Sequence, residues 1–105
     1  MIMHEVTVVP EAKEMMRDYL SYLLFVKRSG QAYEAVKEDY YDTIDELAKV
    51  AGSHQKPPEP ELAERGLKRM HFLRHKYVML YERDGDEAVV VYIFHESEDY
   101  LNKLH

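Results

Sequence analysis

The stretch that decides the fold is Lys76-Tyr77-Val78-Met79-Leu80-Tyr81-Glu82-Arg83-Asp84-Gly85-Asp86-Glu87-Ala88-Val89-Val90-Val91-Tyr92-Ile93-Phe94-His95. Two runs of β-branched and aromatic residues flank a turn, Asp84-Gly85-Asp86, whose glycine suits a tight reversal. The pattern predicts a strand over 76–82, a hairpin turn, and a second strand over 88–95. Period-two alternation places Tyr77, Met79 and Tyr81 on one face of the first strand, with Val78 and Leu80 on the other. Both faces are apolar, so both need cover.

Working outward, Leu67 to Leu73 reads as a third strand of the same sheet. It lies in the run Arg65-Gly66-Leu67-Lys68-Arg69-Met70-His71-Phe72-Leu73-Arg74-His75-Lys76, which holds five Lys or Arg, two His and no acid. Arg69 and His71 share one strand face, about 7 Å apart by strand rise, and Met70 and Phe72 take the other. Two cationic or cationisable groups at that spacing could hold a phosphodiester; equally, they suit a solvated edge strand protected by charge. Before this strand, Ser53 to Glu64 is polar and carries Pro57, Pro58 and Pro60. It reads as a loop within the fold, with room for a short helical turn around Leu62.

The N-terminal half is helical after one short strand, Glu5-Val6-Thr7-Val8-Val9. Pro10 suits a first helical turn, with Glu11 and Glu14 near the positive end of the dipole. Ala12, Met16, Tyr19, Leu20 and Leu23 recur at helical spacing. Tyr22 to Val26 is apolar nearly all round, which predicts a covered helix end. After Ser29-Gly30 a second helix presents the stripe Tyr33, Val36, Tyr40, Ile44, Leu47, Ala48 and Ala51. Its acids, Glu34, Glu38, Asp39, Asp42, Asp45 and Glu46, are read as a solvated face. Gly52 suits a C′ position. So short a connection makes the pair an antiparallel hairpin. A last helix is expected over 96–104. The order is β-α-α-β-β-β-α, an α+β fold with a small, mostly antiparallel sheet. The hairpin covers one sheet face, and the other face is expected to offer a partner an open apolar groove.

Length and composition agree. The 105 residues are expected to make one domain, residues 1–105. Apolar residues are 46% and charged residues 32%, a globular rather than a disordered balance. With 14 Lys+Arg against 20 Asp+Glu, the net charge is −6, which argues against a surface wholly given to nucleic acid. Cysteine is absent, which excludes disulfides and thiolate chemistry and fits a reducing compartment. No signal peptide is legible at Met1-Ile2-Met3-His4-Glu5, and Ala88 to Phe94 is too short to span a bilayer. A cytoplasmic protein without a membrane role is expected. No cofactor or metal is expected: there is no phosphate loop or dinucleotide fingerprint, and the six His lack metal-ligand spacing.

Two further residues invite chemistry. His95 closes the last strand, where an imidazole can act as general acid or base, or simply cap the strand. Tyr100 could stack on a base or donate a proton, or pack on the sheet.

The basic strand, the Tyr77-x-x-x-Tyr81 strand, the acidic Gly85 hairpin, and Val89 to Phe94 ending at His95 with Asp99 beyond resemble the RelE/ParE superfamily of toxins from bacterial type II toxin–antitoxin (plasmid stabilisation) systems. The N-terminal strand, the Pro10-Glu11-Ala12 helix start and the helical hairpin are similar too, so the resemblance covers nearly the whole chain. It implies growth arrest as the activity and a cognate antitoxin as partner, with a homodimer or a toxin–antitoxin heterotetramer as the assembly.

The superfamily divides between ParE-like poisons of DNA gyrase, which are not enzymes, and RelE-like endoribonucleases acting on mRNA in the translating ribosome. For the ribonuclease branch the matching positions are Arg69, His71, His95 and Tyr100, and Arg74 is a further candidate for that chemistry. Val78 stands where that branch carries an Arg after the first Tyr, which removes a large electrostatic contribution to phosphate chemistry. The acidic net charge also suits ribosome binding poorly. Tyr77-Val78-Met79-Leu80-Tyr81 and Phe94-His95 with Asp99 are closer to the ParE-like branch. Glu96, Ser97 and Glu98, however, occupy the place of its usual Arg. An attenuated, non-toxic antitoxin-binding module is the third alternative.

Overall fold

A computed structural model describes residues 4–51, 60 and 64–98. Four strands, two α-helices and a short π-helical segment make up the described fold. Strand β1 spans Glu5–Val8, helix α1 Pro10–Ser21 and helix α2 Gly30–Val50; strands β2, β3 and β4 span Lys68–His71, Tyr77–Asp84 and Glu87–His95. The sheet order is β1-β4-β3-β2, with β1 parallel to β4 and the other pairs antiparallel. The expected helix over 96–104 and the turn at Leu62 fall outside the described residues, apart from Glu96 to Glu98, which form a turn.

The local signals act as their chemistry dictates. Pro10 opens α1 after an extended Val9, whose carbonyl accepts from Lys13 N–H at 3.0 Å. The Ser29 hydroxyl caps α2 by accepting from Ala32 N–H at 3.1 Å. Asp84 pairs with Glu87, leaving a two-residue loop, and Gly85 takes φ 59° there at no steric cost.

One irregularity in β4 decides which residues reach the core. Leu80 pairs with Tyr92, yet Tyr81 pairs with Val90, so Val91 is an extra residue in the ladder. The bulge shifts the alternation by one. Ala88, Val90 and Ile93 therefore all join the core beneath the helices, with Met70, Phe72, Tyr77, Met79 and Tyr81. The helices contribute Ala12, Met16, Val36, Tyr40 and Leu47 to that core. The expected facing of β3 holds: Val78 and Leu80 lie on the opposite side, in a second cluster with Leu67 and Phe94.

Three expectations are corrected here. The second sheet face is not an open apolar groove, because Leu67, Val78, Leu80 and Phe94 are all buried. Tyr22 to Val26 is not a covered helix end. It forms a π-helical segment, in which Lys27 N–H reaches the Tyr22 carbonyl at 2.9 Å. The wider turn keeps Leu23 and Leu24 partly buried and leaves Tyr22, Phe25 and Val26 exposed by 48%, 71% and 66%. Finally, Asp39 does not belong to the solvated acidic face of α2: it is fully buried, as is Thr43.

Candidate functional site

The buried acid explains how the basic stretch is held. Asp39 and Thr43 lie one turn apart on α2, among the core residues Val36, Tyr40 and Leu47. The turn between β2 and β3 sits over them. Asp39 Oδ2 accepts from the backbone N–H of Arg74 at 3.1 Å and from His75 Nδ1 at 2.7 Å. The carboxylate can only accept, so the His75 proton is assigned to Nδ1. Thr43 Oγ1 accepts from Leu73 N–H at 3.2 Å and donates to the Asp39 carbonyl at 2.6 Å. The Arg74 guanidinium bonds Asp42 at 2.7 Å and lies 3.9 Å from Asp39. A buried carboxylate is tolerable only when its lone pairs are filled in this way. Arg74 and His75 are therefore parts of a clamp between the turn and α2.

Arg69 and His71 point elsewhere. Their cross-strand partners are Leu80 and Val78, so both face the side away from the helices. His71 Nδ1 is 2.5 Å from Glu96.

His95 pairs with Tyr77 on the helical side of the sheet, and its ring meets Tyr77 edge-on, centroids 5.0 Å apart. Its Nδ1 accepts from Ser97 N–H at 3.1 Å, with Ser97 Oγ at 2.7 Å, which assigns the neutral ring's proton to Nε2. His95 N–H donates to the Tyr19 hydroxyl at 3.1 Å, and that hydroxyl donates to Glu98. Burial pushes the Tyr19 phenol well above its ordinary pKa, and the bond to Glu98 pushes the same way. Tyr19 is thus held as a neutral donor that ties the end of β4 to α1. Tyr77 stacks edge-on against Tyr19 as well, at 5.2 Å.

Of the five residues singled out for ribonuclease chemistry, the four that are described are not brought to one place. Arg69 and His71 share a face, Arg74 belongs to the turn clamp, and His95 lies across the sheet from Arg69 and His71. Tyr100 lies outside the described residues.

A different surface forms a large groove. Between β1, α1 and α2 lies an open groove of about 880 Å³. Val6, Val8, Met16, Leu20 and Ile44 are among its apolar lining, and Lys13, Arg17 and Lys37 line it as well. Leu24, Phe25 and the exposed Tyr41 line it too. Lys37 stands over the Tyr33 ring, 5.6 Å from its centroid. Among the described strands β1 lies at the edge of the sheet, beside β4, so the groove adjoins a sheet edge. No single sequence motif carries this groove. Lys13 and Arg17 are four apart and Lys37 is on the other helix, so only the hairpin assembles them.

These elements define an α+β fold: a helical hairpin on one face of a four-stranded, mostly antiparallel sheet. A solved chain titled "Chromosomal ParDE TA system from P. aeruginosa" has the same fold, at TM-score 0.70 and 14% identity, over 90% of this chain and 98% of that one. No curated protein matches the sequence. The family model described as "ParE toxin of type II toxin-antitoxin system, parDE" matches residues 6–100. The chain belongs to the ParE toxin family and is a type II toxin–antitoxin toxin. None of the described helices is long and apolar enough to cross a membrane.

Proposed function

We propose that this protein arrests growth in the cytoplasm by binding and inhibiting DNA gyrase, and that a cognate antitoxin silences it by filling the groove between β1, α1 and α2. The observation that carries this reading is the ParE family match across residues 6–100. The placement of His71 and His95 on opposite faces of the sheet supports action by binding rather than by catalysis. In this reading the antitoxin supplies an amphipathic segment. Its apolar side packs on Met16, Leu20 and Ile44, and its carboxylates meet Lys13, Arg17 and Lys37.

The test is a supercoiling assay with purified gyrase and this protein, with and without the antitoxin encoded beside it. Inhibition relieved by the antitoxin is the expected result. Full supercoiling at excess protein overturns the gyrase reading. In that case, new mRNA 5′ ends within codons after induction would point instead to the ribonuclease branch and to Arg69, His71 and His95.

A further inference from the structure

The tip of the helical hairpin is unlike the rest of the surface. Tyr22, Phe25 and Val26 lie exposed on a five-residue segment, with Lys27 and Arg28 exposed immediately after them. No acid occurs from Tyr19 to Tyr33, although the chain carries 20. The tip is therefore a locally cationic, apolar knob on an acidic protein.

The knob is held in shape from within. The Lys27 ammonium stands 5.7 Å from the centroid of the Tyr22 ring. Arg28 takes φ 53°, which ends the helix, and Ser29 N–H returns to the Leu23 carbonyl at 3.0 Å. Exposing apolar side chains on a fixed backbone leaves little to order when they are buried against a partner.

We infer that this tip is the contact by which the protein grips its cellular target, and that the target presents an apolar cleft rimmed by carboxylates on a folded protein. The inference rests on the toxin reading above for the existence of a target, and not on that target being gyrase. Charge and apolar contact select the partner class. A second copy of this chain would offer its groove, but that groove is lined by Lys13, Arg17 and Lys37 and would repel Lys27 and Arg28. A nucleic acid would pair with Lys27 and Arg28 but would leave the exposed aliphatic Val26 without an apolar partner. The knob is also continuous with a concave surface, since Ser21, Leu24 and Phe25 line the groove. A flat bilayer would leave that hollow unfilled.

The experiment compares growth arrest by the full chain with arrest by Lys27→Glu/Arg28→Glu and by Phe25→Ser. Lys76→Glu, on the distant β2–β3 turn, is the charge control. All are expressed at equal levels and checked for an unchanged thermal midpoint. The inference expects both tip variants to lose arrest while Lys76→Glu arrests as the wild type does. Folded tip variants that arrest growth undiminished overturn it. So does a wild type that arrests nothing, since it would then have no target to grip.

Purified gyrase separates the two readings. If the wild type arrests growth and the tip variants do not, yet the wild type leaves supercoiling intact, the tip stands and the gyrase reading falls. If gyrase is the target, the charge reversal weakens its binding by at least about tenfold, as for close charge pairs at an interface. Sedimentation of the wild type, but not the tip variants, with phosphatidylcholine–phosphatidylglycerol vesicles would overturn the protein-cleft assignment in favour of a membrane.

Discussion

Helix α2 meets two turns that invert the usual rule of polar outside and apolar inside. At the β2–β3 turn, a carboxylate and a hydroxyl, Asp39 and Thr43, are completely buried, and the chain above them is polar and basic. At the α1–α2 turn, a phenylalanine and a valine stand mostly in solvent. Their energetics differ accordingly. The first region spends its polar groups on holding one segment to another, and every lone pair filled there stabilises the native turn. The second gains nothing for the isolated fold from its apolar groups, so their burial is available to a partner. A stability effect is expected at the first region and an activity effect at the second.

Substitutions should separate the two. Asp39→Ala removes the acceptor for Arg74 N–H and His75 Nδ1, and it leaves a hole among Val36, Tyr40 and Leu47. The expected loss is about 3 kcal/mol in chemical denaturation. A loss under about 1 kcal/mol would mean that the turn holds itself. Thr43→Val keeps the volume but strands Leu73 N–H, and about 1–2 kcal/mol should go. Ser29→Ala, at the base of the α1–α2 turn, removes the α2 cap and should cost about 1 kcal/mol. Phe25→Ser should change stability by no more than about 0.5 kcal/mol, because a side chain already in solvent loses little. A large loss there would make the tip part of the core and end the contrast.

The core beside these regions adds a pH prediction. Burial raises the Tyr81 phenol to about 12. The unfolded chain gives up that proton near its ordinary value of 10, while the folded chain keeps it. The stability contribution is therefore intact below pH 10 and falls as pH rises toward 12. Denaturation followed across that window should show a shallower alkaline decline in Tyr81→Phe than in the wild type.

How much of this was legible in the sequence follows from the range of each signal. The hairpin at Gly85, the start of α1 at Pro10 and the two faces of β3 are set by nearest neighbours and by alternation, and they could be read directly. The acids of α2 could be sorted only in part. Asp39 and Thr43 share the spacing of Val36, Tyr40 and Leu47, which is a signal that they lie within the stripe. An acid in that stripe nevertheless reads as solvated until its donors are known, and those donors lie more than thirty positions away in the chain. The candidate residues Arg69, His71, Arg74 and His95 were legible as residue types, but their distribution over two sheet faces and a turn was not.

By itself, then, the sequence determined the element order, the antiparallel meander, the helical hairpin and the family, because these rest on local propensity, periodicity and the order of motifs. Tertiary structure alone decided which polar groups are buried, where the β4 bulge shifts the alternation, and which apolar groups remain exposed. Each of these depends on what lies opposite a side chain. Hydrogen-bond satisfaction and desolvation are properties of a pair of surfaces, and only folding brings the second surface into place.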